Sequence, residues 1–391
     1  MLISYFCYKA KNCLNFNMKT ITKNITSLFK PYLTVKNGYK GGKGVSSKFD
    51  GQKVYKLSSN ENPIGTSPLA IEAIKNATKD LYFYPDTTDI RLREALEVYY
   101  NQKLNKEQFV CAAGGSELID LIIRAFVKEG EKVIVSTPCF VPYKMFSKWS
   151  GAEVINVPLS ETDYSLQVEG IINAVTEKTR IIFLTSPNNP TGSYIKKSEF
   201  ESLLKQLPPH ILVVFDEVYW HFAEAEDYTT ALPYISKYNN IIAINSFSKT
   251  YGLASLRVGY AYTNEIVAAY LRQICKPFLI TKLSLEGTIA SLKDDDFINK
   301  TIQTIQTERK FLEEQYTLLD IQFYPTQANF FLVNPPIPSA EFVEFLANEG
   351  IAVRPVDNFG AQGMVRISIG NREANEALIV ALKKLVATIT N

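Results

Sequence analysis

Between residues 109 and 245 the chain repeats one unit: a short apolar run of buried-strand length, a turn, then an amphipathic helical stretch. The runs fall at 109–113, 132–136, 154–157, 180–185, 211–215 and 241–245, with helical patterns at 118–127, 141–150, 168–175 and 197–207 between them. Parallel strands need a crossover long enough to hold a helix, so this alternation predicts a mainly parallel sheet covered on both faces. Ligands of open sheets of that kind bind beyond the carboxyl ends of the strands. The residues that follow each strand are therefore where chemistry is to be sought.

Gly114-Gly115-Ser116-Glu117 follows the first run and opens a helix, whose leading N–H groups attract an anion; tight strand-to-helix packing explains a glycine pair equally well. Ser186-Pro187-Asn188-Asn189-Pro190-Thr191-Gly192 follows the run at 180–185 and reads as a rigid loop able to hold an amide at a fixed angle. Asp216-Glu217-Val218-Tyr219 comes to the same rim after the next strand. The last run leads into Ser246 to Gly259, which carries Ser246, Ser248, Lys249 and Arg257. Two readings fit that segment. It is a surface loop, or it holds a lysine that forms a Schiff base with a cofactor aldehyde while Ser246, Ser248 and Arg257 take the cofactor's phosphate.

A chain of 391 residues exceeds one compact core and suggests two domains. Past 283 the pattern changes: a long helical region over 284–319 leads to strands at 328–333, 351–355 and 364–369 and helices at 339–348 and 372–388, a smaller α+β domain. The expected division is a poorly ordered start over 1–30, with Met18 an alternative initiator, then an arm over 31–74 belonging with the small domain. A large domain follows over 75–282, and the small domain over 283–391. Ser67-Pro68 reads as a cap and first-turn proline of a helix to 77, and Tyr82-Phe83-Tyr84-Pro85-Asp86 as an exposed aromatic turn.

With 42 basic against 40 acidic residues, neither a nucleic-acid surface nor a polybasic membrane patch is indicated, and no apolar run approaches the ~18 residues of a membrane span. Five cysteines, odd in number and without a C-x-x-C pair, argue against a disulfide framework or structural zinc and suit a cytoplasmic protein. Only His210 and His221 are present, which excludes a multi-histidine metal site and leaves few bases for a serine or cysteine hydrolase. Arg366 lies in Val365-Arg366-Ile367-Ser368-Ile369, where a charge among apolar residues suggests a partner.

In order, Gly-Gly-Ser-Glu, Pro-Cys-Phe, Asn-Pro-Thr-Gly, Asp-Glu-Val-Tyr, Ser-Phe-Ser-Lys with arginine eight residues on, and Val-Arg-Ile-Ser-Ile-Gly resemble the fold type I aminotransferases that use pyridoxal 5′-phosphate. The resemblance covers residues 30–384. Within that group, Ser-Asn-Glu-Asn-Pro, Tyr-Pro-Asp and Ala-Val-Arg-Pro-Val-Asp-Asn-Phe-Gly are most similar to the histidinol-phosphate aminotransferases.

The resemblance implies an α/β fold: a large domain with a mainly parallel seven-stranded sheet between helices, and a smaller α+β domain. It also implies a homodimer, a small-molecule amino donor, a 2-oxo-acid acceptor and no metal. Lys249 would be joined to the cofactor and then serve as base and acid in proton transfer. Asp216 would pair with the ring nitrogen, Asn189 and Tyr219 would donate to the ring's phenolic oxygen, and Phe140 would cover the ring face. Gly115, Ser116, Ser246, Ser248 and Arg257 would hold the phosphate, and Tyr84 would reach the phosphate in a second subunit.

Substrate contacts would come from Asn62, Asn189, Arg354 and Arg366, with Arg366 as a planar fork for a carboxylate. Any basic residue of the arm must be a lysine such as Lys30, Lys36 or Lys40. Leu279 and Ile280 would make one wall near the cofactor more apolar than is usual in that family. Other readings are an aromatic or broad-specificity aminotransferase, a decarboxylating relative acting on a phosphorylated amino acid, and a cofactor-binding scaffold without turnover.

Overall fold

The computed structural model describes residues 25, 27–33 and 53–390. Met1–Tyr39 is one compact unit and Lys40–Asn391 another. In the first unit the described residues make two turns, closed by Leu28 N–H to Ile25 O and by Leu33 N–H to Lys30 O. Most of the start expected to be poorly ordered, together with Lys36 and Lys40, lies outside the described residues.

In the second unit β1 (Tyr55–Lys56) precedes a large sheet built from β2 (Phe109–Ala112), β3 (Lys132–Thr137), β4 (Glu153–Pro158), β5 (Thr179–Thr185), β6 (Leu212–Asp216), β7 (Ile241–Ser246) and β8 (Gly259–Thr263). Its order is β2-β8-β7-β6-β5-β3-β4, parallel throughout except for β8, which runs antiparallel to both neighbours. The central strands are continuous apolar runs because helices cover both faces. Alternate side chains then go to opposite cores. Ile182, Leu184, Val213, Phe215 and Ala243 join one, while Ile181, Phe183, Val214, Ile242 and Ile244 meet Leu118, Ile119 and Ile122 of the helix Gly115–Phe126 in the other.

The strand β8 has no counterpart in the apolar runs. It is Gly-Tyr-Ala-Tyr-Thr, wholly buried, and its two phenols find partners only in the fold: Tyr260 at Tyr100 (2.9 Å) and Tyr262 at Glu217 (2.5 Å).

The C-terminal region adds β9 (Gln322–Tyr324), β10 (Phe330–Asn334), β11 (Ile351–Ala352), β12 (Arg354–Pro355) and β13 (Val365–Ser368). A four-stranded antiparallel sheet forms in the order β12-β13-β10-β9. The run expected as one strand over 351–355 is two: β11 pairs with β1 of the arm and β12 with β13. The helical region expected over 284–319 also divides, into Lys282–Ser291 and Asp295–Leu318. Asp294 causes the break, because its carboxylate accepts the Phe297 N–H (3.2 Å) and caps the second helix. That helix serves two cores, with Ile298 and Ile302 on the large-sheet core and Ile305, Leu312 and Tyr316 under the small sheet. Ser67 caps the helix Pro68–Ala77 as the sequence predicts, its Oγ accepting the Ala70 N–H (3.2 Å).

Candidate active site

Thr185, Asp216 and Ile244 stand side by side in register, so the loops that follow β5, β6 and β7 open on one rim. Asp216 ends β6 and is 6% exposed. Its Oδ2 accepts from Tyr143 Oη (2.6 Å) and its Oδ1 from the Val218 N–H (3.2 Å). Burial raises its pKa to about 6, while the Tyr143 hydroxyl, the Val218 amide and the Lys249 charge pull it down. Tyr143 is stacked on Phe183 (4.7 Å between centroids), and its hydroxyl also meets Thr185 Oγ1 at 2.9 Å.

Lys249 Nζ donates to the carbonyl of Ser59 (2.9 Å) and lies 5.8 Å from the Tyr219 ring centroid. The residue retains some exposed surface but its amine is drawn inward. Burial lowers its pKa to about 7, the Arg366 charge adds to the fall, and Glu61 opposes it. An amine of that kind is substantially neutral at physiological pH, the state needed by a nucleophile or a general base.

A second cluster forms an anion cup. Gly114 has φ 91°, and a Cβ there would stand 2.6 Å from Arg257 Nη2, so the guanidinium lies directly on the glycine turn. Arg257 is itself left-handed (φ 53°) and donates through Nη1 to Ala254 O (3.0 Å) and Ser248 Oγ (3.4 Å). Ser246 Oγ accepts the Ser248 N–H (3.1 Å) and donates to Ser248 Oγ (3.0 Å). Gly115 and Ser116 begin a 12-residue helix, whose first N–H groups have no partner within the helix. Backbone donors, two hydroxyls and a guanidinium thus converge, the chemistry a phosphate requires.

The small sheet supplies the third cluster. Pairing of β12 with β13 sets Arg354 opposite Arg366; they are 6% and 5% exposed, and their guanidiniums lie 5.6 and 5.7 Å from the Phe359 ring centroid. Arg366 donates to Asn189 Oδ1 (2.5 Å) and to Ser58 O (2.8 Å), which leaves the Asn189 Nδ2 as that side chain's donor. Tyr219 accepts from Asn60 Nδ2 (3.1 Å). Phe140 precedes the helix Val141–Trp149 and meets Tyr143 edge-on (5.7 Å).

Several residues stand elsewhere than the sequence suggests. Asn62, expected at the substrate, spends its amide on Thr250 O (2.8 Å), Lys249 O (3.3 Å) and Thr301 Oγ1 (3.1 Å), and its Oδ1 accepts the Ile64 N–H (3.0 Å). It braces the lysine loop, and Asn60 is the asparagine of that segment that meets Tyr219. Leu279 and Ile280, expected as pocket wall, pack into the two cores of the large sheet. Tyr84, expected to act in a second subunit, is 82% exposed and stacks on Phe278 (4.8 Å). Ser58, Ser59, Asn60 and Tyr143 were missed; only the polar run around Asn60 held a signal, and Tyr143 reads as an ordinary core aromatic. Among the described residues there is no group of three or more residues that could hold a metal, and no helix is long and apolar enough to cross a membrane.

Residues 52–382 match the family model for aminotransferase class I and II. This chain belongs to that family. The aminotransferase is 36% identical to histidinol-phosphate aminotransferase 1 of Mannheimia succiniciproducens, over 85% of this chain and 90% of that protein. It is 34% identical to the histidinol-phosphate aminotransferase of Anoxybacillus flavithermus, over 88% and 91%. Among solved structures it resembles the histidinol-phosphate aminotransferase from Clostridium acetobutylicum (TM-score 0.79, 27% identity, 86% of this chain and 100% of that one). Its fold also matches the Sinorhizobium meliloti histidinol-phosphate aminotransferase in complex with pyridoxal-5′-phosphate (TM-score 0.82, 22% identity, 92% and 98%). The residues of the aminotransferase fit pyridoxal 5′-phosphate: a cup of backbone amides, hydroxyls and a guanidinium for the phosphate, a buried carboxylate, and an amine with a depressed pKa.

Proposed function

We propose that this aminotransferase moves the amino group of L-histidinol phosphate to 2-oxoglutarate through pyridoxal 5′-phosphate, in histidine biosynthesis. The observation that carries the substrate is the buried pair Arg354 and Arg366, opposed in register on one aromatic ring. A dicarboxylate acceptor and a phosphorylated donor must use one site in turn, and guanidinium forks bind carboxylate and phosphate alike. The names of the relatives agree with this reading.

Bound here, the cofactor supplies an aldehyde that takes up the amino group and a ring that accepts electrons from the substrate carbon. Lys249 Nζ, with a pKa near 7, would take the proton from that carbon and deliver it to the cofactor carbon that had been the aldehyde. Asp216, steadied by Tyr143 and Val218, would pair with the ring nitrogen and keep it protonated. Asn189 Nδ2 and the Tyr219 hydroxyl would donate to the phenolic oxygen, and Phe140 would cover the ring. Gly115, Ser116, Ser246, Ser248 and Arg257 would hold the phosphate.

We also infer a homodimer. Leu81, Tyr82, Phe83 and Tyr84 form an exposed apolar run, and Tyr84, spent on nothing in its own site, would complete the phosphate cup of the second subunit. A cytoplasmic location is supported by the odd set of five cysteines, of which Cys111 and Cys139 are free and buried. The domain division we propose is an arm over 31–74 with the small domain, a large domain over 75–282 and a small one over 283–391. Turnover of histidinol phosphate with 2-oxoglutarate, compared with transamination of phenylpyruvate, tests the substrate; equal or faster rates with phenylpyruvate overturn it. Sedimentation of the holoenzyme tests the dimer, and a monomer refutes it.

A further inference from the structure

Asn60 has no part in the roles given so far, yet its surroundings are built in detail. It is 1% exposed and sits in left-handed backbone (φ 54°), which asparagine tolerates better than most residues. Its N–H donates to Ser368 Oγ (2.8 Å), and its carbonyl accepts from Asn329 Nδ2 (3.2 Å). The Ser368 hydroxyl in turn donates to Asn60 Oδ1 (2.9 Å). That bond fixes the orientation of the amide: Oδ1 faces the serine, so Nδ2 faces Tyr219, 3.1 Å from its oxygen. A phenol has one hydrogen to give. When its oxygen accepts from one side, that hydrogen is directed elsewhere.

We propose that Asn60 is a positioning residue for Tyr219: by donating to the phenol oxygen, it turns the tyrosine's hydrogen away from the 58–62 segment and onto the cofactor's phenolic oxygen. The proposal rests on the reading of Tyr219 given above. Hydrogen bonds in series polarise one another, so the amide also strengthens the donation it directs. The chain Ser368 to Asn60 to Tyr219 begins on β13, two residues from Arg366. The strand that carries an anion-binding arginine therefore also sets the donor to the ring. A core asparagine that merely tied the segment down would affect folding and leave the ring's electronic state alone.

The test is a pH titration of the visible absorption of the holoenzyme. A donor at the phenolic oxygen withdraws charge from it and weakens the hold of the neighbouring Lys249 linkage on its proton, so losing the donor raises the midpoint. Tyr219→Phe raises it; an unchanged midpoint in that variant sinks the role of Tyr219 itself. Given that rise, Asn60→Gly keeps the left-handed backbone, loses the amide, and raises the midpoint by part of the Tyr219→Phe shift. Added to Tyr219→Phe it produces no further shift. A native midpoint in Asn60→Gly, or an equal shift with and without the tyrosine hydroxyl, overturns the proposal. Ser368→Ala, which releases Oδ1 and leaves Asn60 in place, shifts the midpoint in the same direction by less, and gives the answer where Asn60→Gly does not fold; no shift there overturns the proposal as well. None of these variants changes a charge, and Asp216, Tyr143, Lys249, Arg257, Arg366, Glu61 and Lys56 are common to all of them.

Discussion

Cofactor-free protein exposed to pyridoxal 5′-phosphate at neutral pH should react through Lys249 about a thousand times faster than it would through an ordinary lysine. The amine reacts in its neutral form, and its pKa falls from 10.5 to about 7. At pH 7 the neutral fraction therefore rises from about 1 in 3,000 to about one half. Stopped-flow absorbance of adduct formation, followed from pH 5.5 to 10, should climb to about pH 7 and then level off. Two variants separate the causes. Arg366→Gln removes the largest charge contribution and moves the midpoint up, but leaves it below 10.5 because burial is the foremost cause. Glu61→Gln removes an opposing charge and moves it down. The same group couples to folding: its folded pKa lies below its unfolded one, so the folded chain binds fewer protons between pH 7 and 10.5, and the cofactor-free protein gains stability from it as pH rises through that window. A rate still climbing at pH 9, or a midpoint lowered by Arg366→Gln, would refute the reasoning.

Gly114→Ala sets a methyl 2.6 Å from Arg257 Nη2 on a backbone with φ 91°. Losing one charge-assisted bond of about 1.5–3 kcal/mol should weaken cofactor binding roughly ten- to hundredfold in a titration of the cofactor-free protein; unchanged affinity removes Arg257 from the cup. Tyr143→Phe takes away the foremost group holding the Asp216 pKa down, so the acid limb of the pH–rate profile should move up from about 6, and a fixed limb counts against the link. Gly252→Ala drives a Cβ to 1.9 Å from Gly65 O at φ 66°. Denaturant unfolding should show a loss of more than about 2 kcal/mol; a neutral change would show that the two loops part easily.

The parallel strands and the loops that follow them were legible because each strand is an unbroken apolar run and each loop begins with polar residues at its end. The strand β8 was not, since Tyr260 and Tyr262 look amphipathic until Tyr100 and Glu217 satisfy them. Ser58 and Ser59 act through backbone carbonyls, which every residue possesses, so no side chain announces them. Asn60 and Asn62 are alike in sequence, and only the fold sends one to Tyr219 and the other to the lysine loop. The opposition of Arg354 and Arg366 is a matter of register, invisible until β12 and β13 are paired.

The segment that runs from Ser58 to Thr66 is stitched on one margin to Arg366 and Ser368 and on the other to the carbonyls of Lys249, Thr250 and Gly252. It behaves as a taut hem between two pieces of cloth: the Arg366 guanidinium, proposed to hold the substrate's anion, and the Lys249 amine, proposed to join the cofactor, cannot drift apart without tearing several stitches together. The gap between grip and chemistry is thereby gauged by main chain, and two long, supple side chains inherit a fixed separation that neither could keep alone.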